Sequence, residues 1–236
     1  MVHTRRILTI GALVYASVLG VPAAIGAPVS VQSAALTTFH TCVLTGTAAS
    51  GTTNVDSYVN QASPVQNNGT NSTTTVNSAA LSNTRTYIQF DLTTCIPAIP
   101  SSATVNRATL RLFVTALPGV CRTDDIFRVT SSWTESGVTW NNQPFGTTIN
   151  NPPSAQATSS MTLGTGCAVN TATSTYVTGW NVTSDVSAFV AGTATNNGWM
   201  VRDDVEGSVS ARSSTFSARN ANNPARGPQL VVDYTT

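Results

Sequence analysis

The sequence predicts an all-β fold, a two-sheet β-sandwich of jelly-roll type with one short helix near residues 183–192. Three observations carry this expectation. From residue 55 onward, short β-prone runs alternate with clusters of Gly, Pro, Asn and Ser, the rhythm of strands and turns. Several runs alternate apolar and polar residues with period two, as half-buried strands do. The chain is also rich in Thr, whose branched Cβ suits a pleated surface.

The expected strands, in order, are Ser57–Val59, Thr74–Val76, Arg85–Leu92, Ala108–Thr115, Ile126–Thr130, Thr175–Val182, Gly198–Arg202 and Gln229–Tyr234. In Arg85–Leu92, Ile88, Phe90 and Leu92 share one face, and Arg85, Tyr87, Gln89 and Asp91 the other. In Ala108–Val114, Ala108, Leu110, Leu112 and Val114 form the inner set, with Thr109, Arg111 and Phe113 opposite. In the last run Leu230, Val232 and Tyr234 point inward. One helix is expected, capped by Thr183 or Ser184, running through Asp185, Val186, Phe189 and Val190, and ended by Gly192. Many one-sided strands are buried most simply between two packed sheets, and long connections such as 141–160 suit a jelly roll or Greek key better than a meander.

The first residues read differently. Arg5 and Arg6 precede an apolar run, Ile7 to Val21, and small residues follow at Ala23, Ala24, Gly26 and Ala27. That is the layout of a secretory signal peptide over residues 1–27, with a run short for a membrane span. Residues 28–54 then form a lead-in with room for one strand near Thr41–Leu44, and residues 55–236 the sandwich. The expected location is outside the cell or at its surface, with no membrane span once the signal is removed. The nine Arg left after the signal face ten acids, so there is no basic field to attract nucleic acid. There is no Lys, and 9% of residues are charged.

Cys42, Cys95, Cys121 and Cys167 all follow the signal. An even count in an exported chain reads as two disulfides, and four cysteines allow three pairings. Cys42–Cys95 and Cys121–Cys167 are favoured, because each closes a local loop of about 50 residues. No Cys-x-x-Cys spacing supports a four-thiolate metal site.

A series of motifs carries a resemblance. Asp56-Ser57-Tyr58-Val59 is followed by the turn Asn67-Asn68-Gly69-Thr70, then by Thr86-Tyr87-Ile88-Gln89-Phe90-Asp91-Leu92. Ile99-Pro100-Ser101-Ser102-Ala103-Thr104-Val105 leads into Ala108-Thr109-Leu110-Arg111-Leu112-Phe113-Val114. The most specific block is Trp133-Thr134-Glu135-Ser136-Gly137-Val138-Thr139-Trp140-Asn141-Asn142-Gln143-Pro144. Trp180-Asn181-Val182-Thr183, Phe216-Ser217-Ala218-Arg219-Asn220 and Pro228-Gln229-Leu230 complete the series. The chain resembles the disaggregatase-related (DNRLRE) domain, also classed as carbohydrate-binding module family 96, over about residues 56–234. Asn220 departs from the family's usual Glu, and Cys95, Cys121 and Cys167 look like additions. The resemblance implies a jelly-roll-like sandwich that binds polysaccharide, alginate for some members.

Catalysis finds little support. His40 is the sole His once His3 leaves with the signal, no Gly-x-Ser-x-Gly surrounds a Ser near it, and Schiff-base chemistry has no Lys. A non-catalytic binding face instead needs aromatic rings for apolar sugar faces and forked Arg for carboxylates. The candidate ligand residues are Tyr87, Gln89, Arg111, Arg128, Arg202 and Arg219, the last able either to bind ligand or to lock Glu135. Trp133, Glu135, Trp140 and Asn141 are expected to be structural, with Glu135 pinning a long loop and both Trp anchoring it. The acidic turn Asp203-Asp204-Val205-Glu206-Gly207 has the oxygen ligands for Ca²⁺ but reads more simply as a solvated turn; no other cofactor is indicated. The favoured function is a secreted polysaccharide-binding module, with acidic glycans such as alginate as ligand. The alternative is a structural or adhesive surface protein that self-assembles by strand addition.

Overall fold

The structure, a computed structural model, describes residues 37–45 and 54–236. The expected signal segment 1–27, and the lead-in apart from 37–45 and Asn54, lie outside the described residues. Residues 37–236 form one compact unit. Its strands are β1 (Phe39–Thr45), β2 (Asn54–Asn60), β3 (Thr73–Ser78), β4 (Thr84–Phe90), β5 (Thr104–Arg111), β6 (Phe113–Ala116), β7 (Arg122–Arg128), β8 (Ser159–Leu163), β9 (Thr175–Tyr176), β10 (Trp180–Asn181), β11 (Trp199–Asp203), β12 (Arg212–Ser217) and β13 (Gln229–Thr235). A single α-helix, α1 (Thr183–Val190), is present among the described residues.

Two antiparallel sheets pack as the expected sandwich. The smaller has the order β1-β13-β5-β10. The larger runs β8-β7-β11-β4-β3-β12-β6-β9, with β2 paired to β4. No two neighbours in the smaller sheet are consecutive in sequence, so the fold is not a meander. The period-two pattern selects the core: Ile88, Phe90, Ala108, Leu110, Leu112, Val114, Leu230, Val232 and Tyr234 all lie in the main cluster between the sheets. Each large apolar side chain so buried contributes roughly 1.5–3 kcal/mol relative to exposure. Trp180 and Trp199 are also buried there, with their indole N–H groups donated to Asp124 O and Asp185 Oδ2, both at 2.9 Å.

The expected strands Ala108–Thr115 and Thr175–Val182 each divide. The chain bends at Leu112, so β5 belongs to the smaller sheet and β6 to the larger. It returns across the same corner between β9 and β10, through Gly179. That residue has φ +104°, and a Cβ on it would lie 2.4 Å from Thr109 Cγ2. Strands that switch sheets at such corners close a sandwich. Alternation continues through Leu112, which is why sequence period alone merges β5 and β6, whereas at Gly179 the inward set slips from Val177 to Trp180 and Val182. Strands β8 and β12 were not among the expected runs. In β12, Arg212-Ser-Ser-Thr-Phe-Ser, Phe216 is the one apolar residue, too little to show a period.

The helix forms where expected, but its cap differs. Asn181 Oδ1 accepts from Thr183 N–H (3.1 Å) and Oγ1 (2.6 Å), while Thr183 Oγ1 accepts from Ala108 N–H (2.9 Å). Thr183 therefore ties the helix to β5; the N-cap position is Val182, which has no side-chain capping bond, and Asn181 just before it accepts the Thr183 N–H. Both favoured disulfides are present. Cys42–Cys95 ties β1 to the turn after β4, and Cys121–Cys167 joins the segments flanking β7 and β8. The strand expected near Thr41–Leu44 is β1, an edge strand paired along its length with β13.

Candidate functional site

The two outer faces of the sandwich have opposite fates. The larger sheet's outer face lies beneath the long connection between β7 and β8. A second apolar cluster forms there, with Val59, Tyr87, Phe127 and Met200 from the sheet meeting Val138 and Trp140 from the connection. Arg85 is fully buried at its centre. All five of its N–H donors are used: Glu206 Oε1 (2.7 Å) and Oε2 (2.8 Å), Gln143 Oε1 (3.1 Å), Gly146 O (3.0 Å) and Thr148 O (2.7 Å). The guanidinium also sits 4.8 Å over the Trp140 ring. A buried ion pair is tolerable only when hydrogen bonds satisfy it in this way.

This burial corrects two of the expected ligand residues. Tyr87 and Arg202 do alternate away from the main core, but both are 0% exposed. Tyr87 Oη donates to Gln143 Oε1 (3.0 Å). Arg202 donates to the carbonyls of Asp203 (2.5 Å), Asp204 (3.1 Å) and Pro152 (2.6 Å), lies 4.9 Å over Phe127, and has its pKa lowered by burial. Alternation identifies the face of a sheet; it does not say whether a distant loop covers that face.

The block 133–144 explains how the loop is held. Glu135 takes a forked ion pair from Arg219 Nε and Nη2 and accepts from Asp56 N–H (3.1 Å). Its carbonyl accepts from Asn67 Nδ2 (2.7 Å). Gly69 lies against it so closely that a Cβ there would stand 2.3 Å from Glu135 O. Arg219 thus spends its fork on Glu135. Asp56 accepts the Arg219 backbone N–H at 2.7 Å. Burial, reinforced by the Glu135 charge and opposed by the Arg219 N–H, pushes its pKa up to about 7. Trp133 donates to Asn197 O (2.9 Å) and packs on Tyr87, Trp140 is buried beside Arg85, and Asn141 N–H donates to Pro64 O (3.1 Å).

The acidic turn after β11 is likewise occupied from within. Asp203 pairs with Arg122, and Glu206 with Arg85. Among the described residues no group of three or more His, Cys, Asp or Glu side chains is placed to hold a metal ion. Nor is any helix among them long and apolar enough to cross a membrane. Arg128 and Gln89 sit apart from each other: Arg128 is 3.6 Å from Asp185 at one rim, and Gln89 donates to Asn196 O (2.8 Å) in a hollow bounded by β2, β4 and α1.

The smaller sheet's outer face is open. Across β5 and β13 it carries a groove of about 340 Å³ lined by Arg107, Thr109, Arg111, Thr178, Val231 and Asp233. Arg111 donates to Gln229 Oε1 (3.2 Å) and lies 5.2 Å over the Tyr176 ring. Tyr176 meets Phe113 edge-on at 5.3 Å, and Arg226 lies 4.9 Å over Phe113, so cations and rings alternate at this end of the face. The Arg107 side chain is exposed and has no hydrogen-bond or ion-pair partner among the described residues. Asp233 accepts from Thr41 Oγ1 (2.6 Å). Of the six expected ligand residues, only Arg111 lies on this face. Arg107 was missed, although it stands on the same side of β5 as Thr109 and Arg111; it precedes the alternating run Ala108–Val114 that marked the strand.

The open face thus combines the exposed guanidinium of Arg107 with the edge-on Tyr176–Phe113 pair at one end, on a sandwich stapled by disulfides. The model of carbohydrate-binding module family 96 matches residues 47–234. The chain belongs to this family. No curated protein sequence matches it. As a family 96 module, it keeps the Trp133–Pro144 block as the internal fastening described above, and its free chemistry lies on other surfaces.

Proposed function

We propose that this family 96 module is non-catalytic, works outside the cell, and binds an acidic polysaccharide such as alginate across the outer face of its four-stranded sheet. The observation that carries this reading is the pair Arg107 and Arg111, two residues apart on one face of β5 from Thr109 and about 13 Å from each other along the strand. Both border one groove whose only acid among the described residues is Asp233. A guanidinium fork matches a carboxylate bidentately, and Tyr176, with the Arg111 guanidinium over it, supplies a braced ring. Support for the non-catalytic part comes from Glu135, the acid in the specific block, whose carboxylate is held by Arg219. Support for export comes from the two disulfides, which persist in oxidising compartments.

Affinity electrophoresis tests the reading. Gels containing alginate or polygalacturonate should retard the protein, a neutral glucan gel should retard it less, and Arg107→Ala/Arg111→Ala should weaken retention by about tenfold or more. Equal retention of the double variant would defeat the assignment of the face. A second reading, assembly through the sheet edge, draws on β1, where Phe39 is 79% and Val43 51% exposed. It would show as concentration-dependent oligomers with no polymer retention.

A further inference from the structure

The hollow bounded by β2, β4 and α1 lies off the four-stranded face and has different chemistry. It measures about 470 Å³, within the roughly 300–1,000 Å³ typical of small-ligand sites. A smaller hollow of about 270 Å³ adjoins it, sharing Leu92, Thr93 and Phe189. Asn54 is 3% exposed, lines the larger hollow, and its Nδ2 has no hydrogen-bond partner among the described residues. A buried amide donor without a partner costs about 1–3 kcal/mol, so its retention calls for an explanation. The groups around it are braced. Gln89 Nε2 donates to Asn196 O (2.8 Å), and Asn196 Nδ2 donates to Phe90 O (2.8 Å). The Gln89 side-chain carbonyl is left without a partner. Asp91 spends Oδ1 on Thr93 N–H (2.9 Å) and Oγ1 (2.6 Å), leaving Oδ2 free. The walls are apolar: Val55, Leu92 and the edge of Phe189.

We infer that this hollow is a second saccharide site, one that takes a single neutral sugar unit. A pyranose offers hydroxyls that both donate and accept, and a C–H face that packs on apolar walls. Asn54 Nδ2 supplies the donor, and Gln89 Oε1 and Asp91 Oδ2 the acceptors. Among the described residues, the only charge lining the hollow is that of Asp91, which repels a uronate and leaves a neutral hexose or pentose as the fitting class. The inference rests on the carbohydrate-binding reading but not on the Arg107–Arg111 face. A chain end or neutral branch would seat here while a charged backbone lies across the sheet.

The test is NMR titration of the folded chain with methyl glycosides of glucose, galactose, mannose and xylose, at millimolar concentration, alongside a uronate oligomer. At least one neutral glycoside should shift the side-chain amide signals of Asn54, Gln89 and Asn196, and the uronate should not. Gln89→Leu should weaken that glycoside about fivefold, the loss of one neutral hydrogen bond. Asn54→Leu, which keeps volume and removes the orphan donor, should abolish the shifts while leaving the melting temperature unchanged or higher. The inference is overturned if no glycoside moves these signals, or if Asn54→Leu leaves the shifts intact. Arg107→Ala/Arg111→Ala should leave the neutral-sugar shifts in place, so either site can fail without the other.

Discussion

Replacing Glu206 by Gln should detach the long connection from the larger sheet. Among the described residues, Glu206 is the only counter-charge within ion-pair distance of Arg85, and both side chains are fully buried. The substitution keeps the shape but leaves the guanidinium buried without an anion. It also sets an amide N–H against one of the donors now facing Oε1 and Oε2: Arg85 Nε, Arg85 Nη2 and Asn150 N. Removing one partner of a buried pair costs about 3–5 kcal/mol. For a domain of this size, that lowers Tm by roughly 6–20 °C. Urea denaturation followed by tryptophan fluorescence measures the loss, with Trp140 under the guanidinium as one reporter. The double variant Arg85→Met/Glu206→Leu provides the control. It removes both charges at similar volume but leaves Gly146 O, Thr148 O and Asn150 N–H without these partners, so it should recover only the part of the loss due to the unpaired charge. A Glu206→Gln cost below about 1 kcal/mol, the range of surface pairs, would refute the claim that this pair holds the loop. So would a double variant as unstable as the sum of the singles.

Three further outcomes follow from the same packing. The Asp56 pKa is raised from 3.8 to about 7 in the folded state, so its contribution is fully present below the unfolded value and is lost as pH rises towards about 7. Asp56→Asn should flatten that part of the stability–pH curve in parallel urea titrations; an unchanged slope contradicts the shift. Reducing the Cys42–Cys95 bridge, which spans 53 residues, should cost about 4 kcal/mol by loop entropy, measured as a drop in Tm with thiol reductant for a variant lacking the other bridge. Gly69→Ala should cost at the upper end of about 1–3 kcal/mol, because its Cβ would meet Glu135 O. Calorimetry on the variant checks this, and an unchanged Tm would mean the contact relaxes freely.

Much of the fold was legible because one-sided strands declare themselves. The sets Ile88/Phe90 and Leu230/Val232/Tyr234 went where period two sends them, and the disulfide pairing followed from preferring bridges that close local loops of about 50 residues. The corner at Leu112 was not legible, since the chain changes sheet there without interrupting alternation; at Gly179 the inward set steps from Val177 to Trp180. The site was less legible than the fold. Tyr87 and Arg202 carry the same outward signal as Arg111, yet a loop brought from residues 130–157 buries the first two and leaves the third in the open. That difference depends on contacts more than 50 residues apart, such as Arg85 with Gln143 and Glu206. No local pattern encodes them. Glu135 and Arg219 were recognisable through motif resemblance, and the structure supplies the reason for their pairing.

The central claim is that charged glycan lies on the open sheet and not on the sealed one. Arginine Nε–Hε resonances, followed by NMR during titration with a uronate oligomer, report on both faces at once. The account predicts shifts at Arg107 and Arg111, with Arg85 and Arg202 unmoved and the binding weakened by salt. Binding that leaves Arg107 and Arg111 unmoved, or no binding of any uronate by the folded protein, would contradict it.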